Sequence, residues 1–185
     1  MPESPTDTAD FTLDVSEWVN SAPVSPESLR GRVVVIEAFQ MLCPGCVSHG
    51  LPLAQRLHGM FDRSELVVLG LHTVFEHHEV MGREALEVFL SEYRIEFPVA
   101  IDRPIDGQAI PATMQRYGLR GTPSMMIVDR EGRVRQIAFG AVDELALGTY
   151  LGRLLVERTP HDASSITGGA ERSGEESCDV DGSCT

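Results

Sequence analysis

Short apolar runs alternate with helical patterns along most of the chain. Val33–Phe39 (VVVIEAF) is β-branched, short and nearly continuous, the pattern of a strand buried on both faces. From Pro44 to about Phe61 the spacing turns helical, with Leu53, Leu57 and Phe61 four residues apart. Leu66–Phe75 reads as a second buried strand. EVMGREALEVFLSEY then reads as a helix with Leu86, Phe89, Leu90 and Tyr93 on one face, and FPVAID as a third strand. A short helix over Ala112–Tyr117 precedes the loop GLRGTPS. SMMIVDREGRVRQIAFG predicts a hairpin turning at Glu131-Gly132, and a last helix covers about Val142–Arg158. Strands alternating with helices predict an α/β three-layer sandwich, with a central mixed sheet covered by helices on both faces.

The pattern stops at the C-terminus. From Thr159 onward, TPHDASSITGGAERSGEESCDVDGSCT has almost no large apolar residue to offset its ordering entropy. The expected organisation is one domain over 1–158, with its core from about residue 11, followed by a flexible acidic tail over 159–185. At 185 residues the chain can bury one sizeable core.

Charge narrows the partners. The formal net charge is -13, and every basic residue apart from histidine is an arginine, so the long-range field repels phosphate backbones and anionic lipid. Neither nucleic acid nor a membrane is an expected partner, and no apolar run approaches the ~20 residues that span a bilayer. MPESPTDTAD has neither the basic leader nor the apolar stretch of a secretory signal, which predicts a cytoplasmic protein.

Two of the four cysteines stand in FQMLCPGCVSHG, directly after the first buried strand. In a reducing compartment a Cys-x-x-Cys pair is more often catalytic or metal-binding than a structural staple. Cys43 falls where a helix N-cap belongs and Pro44 at the first helical position that proline favours, with Cys46 one turn on. A Cys43 thiolate there can accept hydrogen bonds from the N–H groups of Gly45 and Cys46 and faces the positive end of the helix. The two Cα atoms are close enough for a disulfide, with Cys43 as the exposed nucleophile and Cys46 as the resolving thiol. The competing reading is a zinc half-site, which needs two further ligands.

Glu37 sharpens the choice. A carboxyl inside VVVIEAF, six residues before Cys43, is desolvated and has a raised pKa unless a cation pairs with it. It could take the proton of Cys46 during disulfide exchange, or it could pair with an arginine such as Arg32 or Arg135.

VVVIEAFQMLCPGC followed by RGTPS resembles the thioredoxin superfamily, specifically its TlpA/ResA-like and redoxin (AhpC/TSA-related) branch. The resemblance covers about Phe11–Arg158. It implies a thioredoxin-like fold with a helix and strand, Glu79–Asp102, inserted between the dithiol helix and a cis-proline loop. It further implies a thiol-disulfide oxidoreductase of the protein-disulfide reductase type, with no cofactor, acting on a disulfide-containing protein or small thiol and served by an unidentified electron donor. Cys43 and Cys46 are then the dithiol, Glu37 the buried acid, Pro123 the cis-proline, and Thr122 a backbone contact for substrate. Leu42 stands where the family commonly has tryptophan, and Pro52 one position later than the usual helix-kinking proline, which predicts an adjustment in that helix.

Other candidates stand beside this site. His72, His77 and His78 could gather at the end of a strand as metal ligands or could be solvated, and His49 follows Cys46 by nearly one turn. Cys178 and Cys184 could form a second redox pair relaying electrons to Cys43/Cys46, or could do nothing. A peroxiredoxin-like peroxidase would want Thr or Ser three residues before the cysteine, where Gln40 stands. A carrier of soft metal through the CPGC and tail thiols is the third class.

Overall fold

A computed structural model describes residues 11–157. Six strands form one sheet: β1 (Val15–Val19), β2 (Val33–Phe39), β3 (Leu66–His72), β4 (Val99–Asp102), β5 (Ser124–Val128) and β6 (Val134–Phe139). Their spatial order is β1-β4-β3-β2-β5-β6. The middle three, β4, β3 and β2, are parallel, whereas β1, β5 and β6 each run antiparallel to their neighbours. The helices are α1 (Pro26–Leu29), α2 (Leu51–Met60), α3 (Arg83–Glu92), α4 (Ala112–Arg116) and α5 (Glu144–Val156).

The alternation of side chains along β2 divides the core. Val33, Val35 and Phe39 face one cluster, with Leu53 and Leu57 of α2, Leu86 and Leu90 of α3, and Leu147, Leu151 and Leu154 of α5. Val34, Ile36 and Ala38 face the other, with Leu29 of α1 and Met114 of α4. Helices thus cover both faces, giving the α/β sandwich that the pattern predicts. All seven residues of β2 are buried. At about 1.5–3 kcal/mol for each large apolar side chain buried, the central strand is firmly anchored. Its C-terminal end, where the dithiol begins, is accordingly a fixed platform.

Three details differ from the periodicity. β1 was not apparent, because it is an edge strand with only Val19 fully buried, pairing with β4 some eighty positions away. The helix expected from Glu79 begins at Arg83. His77 takes a left-handed backbone conformation (φ 53°) and a 3₁₀ turn, His78–Val80, intervenes, so the α-helical hydrogen bonds start only after Gly82. β3 ends at His72 rather than Phe75, since the loop after Thr73 turns to meet Gln40. The expected tail, 159–185, with Cys178 and Cys184, lies outside the described residues.

Candidate active site

The dithiol sits where β2 hands over to a helix. After Phe39 the chain makes a turn in which the Cys43 N–H donates to the Gln40 carbonyl at 3.2 Å. The Val47 N–H then donates to the Cys43 carbonyl at 3.1 Å, the first bond of a helix whose N-cap is Cys43 and whose first residue is Pro44. The next turn, Cys46–Gly50, is π-helical, with the Leu51 N–H reaching back five residues to the Cys46 carbonyl. This wide turn absorbs one extra residue, and it is the adjustment that the late position of Pro52 predicts.

Cys43 is half-buried and Cys46 fully buried, both as free thiols. The Cys46 N–H donates to Cys43 Sγ at 3.2 Å, which engages one of the two expected backbone donors. From the opposite side, the Thr122 carbonyl accepts from Cys43 Sγ at 3.4 Å. The Thr122-Pro123 bond is cis, and Ser124 after it pairs with Ala38 of β2. Gly45 lies directly under Pro123, since a Cβ there would come within 3.1 Å of Pro123 Cδ.

Glu37 lies beneath the helix start on the α2 face of β2. It is 1% exposed, and its Oε1 has no hydrogen-bond partner among the described residues. Neither candidate arginine reaches it: the Arg32 guanidinium donates to the Ser28 and Arg63 carbonyls, and Arg135 pairs with Asp129 and Glu157. The alternative of an arginine-paired glutamate is thereby corrected. Burial, and next the nearby Cys43, hold the carboxyl well above the usual glutamate range. Burial foremost, then the hydrogen bond with Cys43, pushes the Cys46 thiol up to about 12, opposed by hydrogen bonds from the Gln40 backbone and the Thr122 side chain. Sequence reasoning predicted Cys43, Cys46, Glu37, Thr122 and Pro123 as one site, and the fold brings these five together.

Residues 6–137 match the AhpC/TSA family. The chain belongs to the AhpC/TSA family. Within the thioredoxin superfamily it stands on the TlpA/ResA-like side. The crystal structure of a thiol-disulfide isomerase from Corynebacterium glutamicum is 57% identical, with a TM-score of 0.81 over 82% of this chain and 99% of that one. Protein DipZ of Mycobacterium tuberculosis is 29% identical over 157 residues, 83% of this chain. This chain spans only 21% of DipZ. The thiol-disulfide oxidoreductase ResA of Bacillus anthracis is 24% identical over 128 residues, 69% of this chain and 66% of that one.

Other residues of this AhpC/TSA-family chain are placed less centrally. Gln40, in the position where a peroxidase would want a hydroxyl, is buried with its Oε1 accepting from the Phe75 N–H at 3.2 Å, a structural tie to the neighbouring loop. Leu42 is 60% exposed beside the dithiol. His72 is buried against Phe39 (ring centroids 5.4 Å apart), with Nε2 unpartnered and its pKa lowered to about 4 by burial. His77 and His78 are exposed. The three do not form a cluster; among the described residues no three His, Cys, Asp or Glu side chains converge as metal ligands do.

One residue escaped the sequence reading. A Cβ at Gly50 would lie 2.1 Å from Glu37 Oε1 and 3.0 Å from Pro123 Cβ. Only a glycine lets the helix settle onto both the buried acid and the proline. The available signal was its spacing, four residues after Cys46 on the same side of the helix.

Proposed function

We propose that the protein is a thiol-disulfide oxidoreductase that exchanges disulfides in protein substrates through Cys43 and Cys46. The observation that carries this reading is the partly exposed Cys43 sulfur, held between the Cys46 N–H and the Thr122 carbonyl, above a buried carboxyl whose Oε1 has no partner among the described residues.

In the reducing direction, the Cys43 thiolate attacks one sulfur of the substrate disulfide. The substrate S–S bond breaks, a Cys43–substrate disulfide forms, and the departing substrate thiolate takes up a proton. Cys46 then attacks Cys43 Sγ and releases the second substrate thiol, leaving a Cys43–Cys46 disulfide. Two electrons pass from the dithiol to the substrate. Cys46 must first lose its proton, and with a pKa raised to about 12 it does so poorly unaided. Glu37 is the base. Its raised pKa makes it a stronger base than an ordinary carboxylate and narrows the gap to the thiol. An extended substrate segment meets the backbone at Thr122-Pro123, next to the exposed Leu42.

The test is insulin-disulfide reduction with dithiothreitol as donor. Cys43→Ser should abolish it, and Cys46→Ser should accumulate a mixed disulfide on Cys43. Turnover unchanged in Cys43→Ser, or hydroperoxide consumption that needs Cys43 without any protein-disulfide exchange, would overturn the reading.

A further inference from the structure

Glu37 borders a cavity that neither Cys43 nor Cys46 lines. A space of about 80 Å³ lies between α2 and the start of α5, and Glu37, Ser48, His49, Arg56, Val142 and Glu144 are among the residues that line it. That volume holds several water molecules, and the lining offers polar partners for them. Within the lining, Glu37 Oε1 is buried and unpartnered, the kind of atom that an internal water satisfies. Gly50 lines the cavity as well, and the absence of a side chain there leaves room beside Glu37 Oε1, while Cys46 is completely buried.

The groups at the other end are polar and largely exposed. Ser48 Oγ lies 2.6 Å from His49 Nδ1, and Arg56 pairs with Glu144, joining α2 to the first residue of α5. The π-turn is what puts Ser48 and His49 here, because it widens the helix directly over Glu37. The charged and titratable groups around the carboxyl are therefore Cys43 and Cys46 on the dithiol side and His49, Arg56 and Glu144 on the cavity side.

We propose that this cavity is a hydrated proton passage: Glu37 exchanges protons with bulk solvent through water held in it, with His49 at the outer end, by a route that neither cysteine lines. This inference rests on the oxidoreductase reading and on Glu37 as the base for Cys46. During resolution the Cys46 S–H proton passes to the Glu37 carboxylate, giving a thiolate and a carboxylic acid. The acid then releases that proton outward to cavity water while the substrate still covers Cys43. In the reverse reaction a proton enters the same way and protonates the Cys46 leaving group. His49 is a positioning residue in this scheme, because it orders water and touches no reacting sulfur.

The experiment compares wild type with Val142→Phe, which puts a ring into the cavity, and His49→Leu, which closes the mouth with an apolar side chain. Glu37 is titrated by ¹³C NMR of its carboxyl carbon, and the two chemical steps are separated by stopped flow. Formation of the mixed disulfide is read in a Cys46→Ser background, and its resolution in chains with both cysteines. Loss of water from the cavity should shift the Glu37 midpoint upward and slow resolution several-fold in both variants, while mixed-disulfide formation stays within twofold of wild type. His49→Leu, at an exposed site, keeps the test open if Val142→Phe does not fold. A Glu37 midpoint and a resolution rate that match wild type in a folded variant overturn the passage. Failure of mixed-disulfide formation in the Cys46→Ser background would instead overturn the oxidoreductase reading itself.

Discussion

Replacing Gly50 with alanine tests how tightly the helix is seated on the buried acid. Gly50 has ordinary helical angles (φ -61°, ψ -56°), so on propensity alone Gly→Ala should stabilise by about 1 kcal/mol. The surroundings argue the opposite. The added methyl would sit 2.1 Å from Glu37 Oε1, 3.1 Å from Glu37 Cδ and 3.0 Å from Pro123 Cβ, where ordinary contacts are about 3.5–4.0 Å. Glu37 has little room to swing away, being 1% exposed on the central strand, and Pro123 is fixed between the dithiol helix and β5. Overpacking of this kind typically costs about 1–3 kcal/mol, occasionally more. An oxygen overlapped by more than an ångström belongs at the upper end. Subtracting the helix gain leaves a net destabilisation of about 1–2 kcal/mol, which urea denaturation of the reduced protein resolves. The cause can be separated by a double-mutant cycle: with Glu37→Ala the closest contact disappears, and the Gly50→Ala cost should shrink by about 1 kcal/mol or more. If Gly50→Ala stabilises the chain as at an exposed helix position, or costs the same with and without the Glu37 side chain, the packing argument is wrong.

Burial also predicts pH dependence at two positions, with opposite signs. Glu37 has its pKa raised in the fold, so its contribution is fully present below the ordinary glutamate value and is lost as pH rises toward the folded one. Glu37→Gln should therefore remove a decline of up to about 1.4 kcal/mol per pH unit from denaturation profiles taken upward from pH 5; parallel profiles for the two proteins would show that the carboxyl ionises freely. His72, with its pKa lowered to about 4, stays neutral in the fold while the unfolded chain takes up a proton below about 6.5, so stability falls as pH drops through that window. His72→Leu should flatten the fall, with the gap between variant and wild type changing by up to about 3 kcal/mol from pH 7 to pH 4; a constant gap would refute neutral burial. Glu37→Gln should also slow resolution of the mixed disulfide by about 10²-fold or more near neutral pH without slowing its formation, and equal effects on both steps would remove the acid-base role.

Much of this site was legible because its chemistry is encoded locally. Val33–Phe39 carries the pattern of a buried strand, Cys-Pro-Gly-Cys follows it with the residues of a helix start, and a glutamate inside the apolar run announced its own desolvation. Thr122-Pro123 was legible by resemblance alone, since nothing local reports which loop folds back onto a dithiol nearly eighty residues earlier. What stayed hidden depended on distant partners. β1 is a half-exposed edge whose partner lies far along the chain, and the glycine at position 50 looks like any helical glycine until Glu37 and Pro123 are set against it. The π-turn announced itself only through the one-residue displacement of Pro52. The cavity beside Glu37 is formed by the turn and helix after the dithiol, by β5 and by the loop leading into α5, which no local pattern brings together.

The central claim is that Cys43 and Cys46 cycle as a two-electron pair. Equilibrating the protein in graded dithiothreitol redox buffers, quenching with a thiol-alkylating reagent and mapping every disulfide by mass spectrometry tests it most directly. The expected result is a Cys43–Cys46 disulfide that forms and disappears along a single two-electron curve. A dithiol that never closes on itself across the range, or an oxidised protein in which Cys43 carries only oxygen adducts, would contradict it.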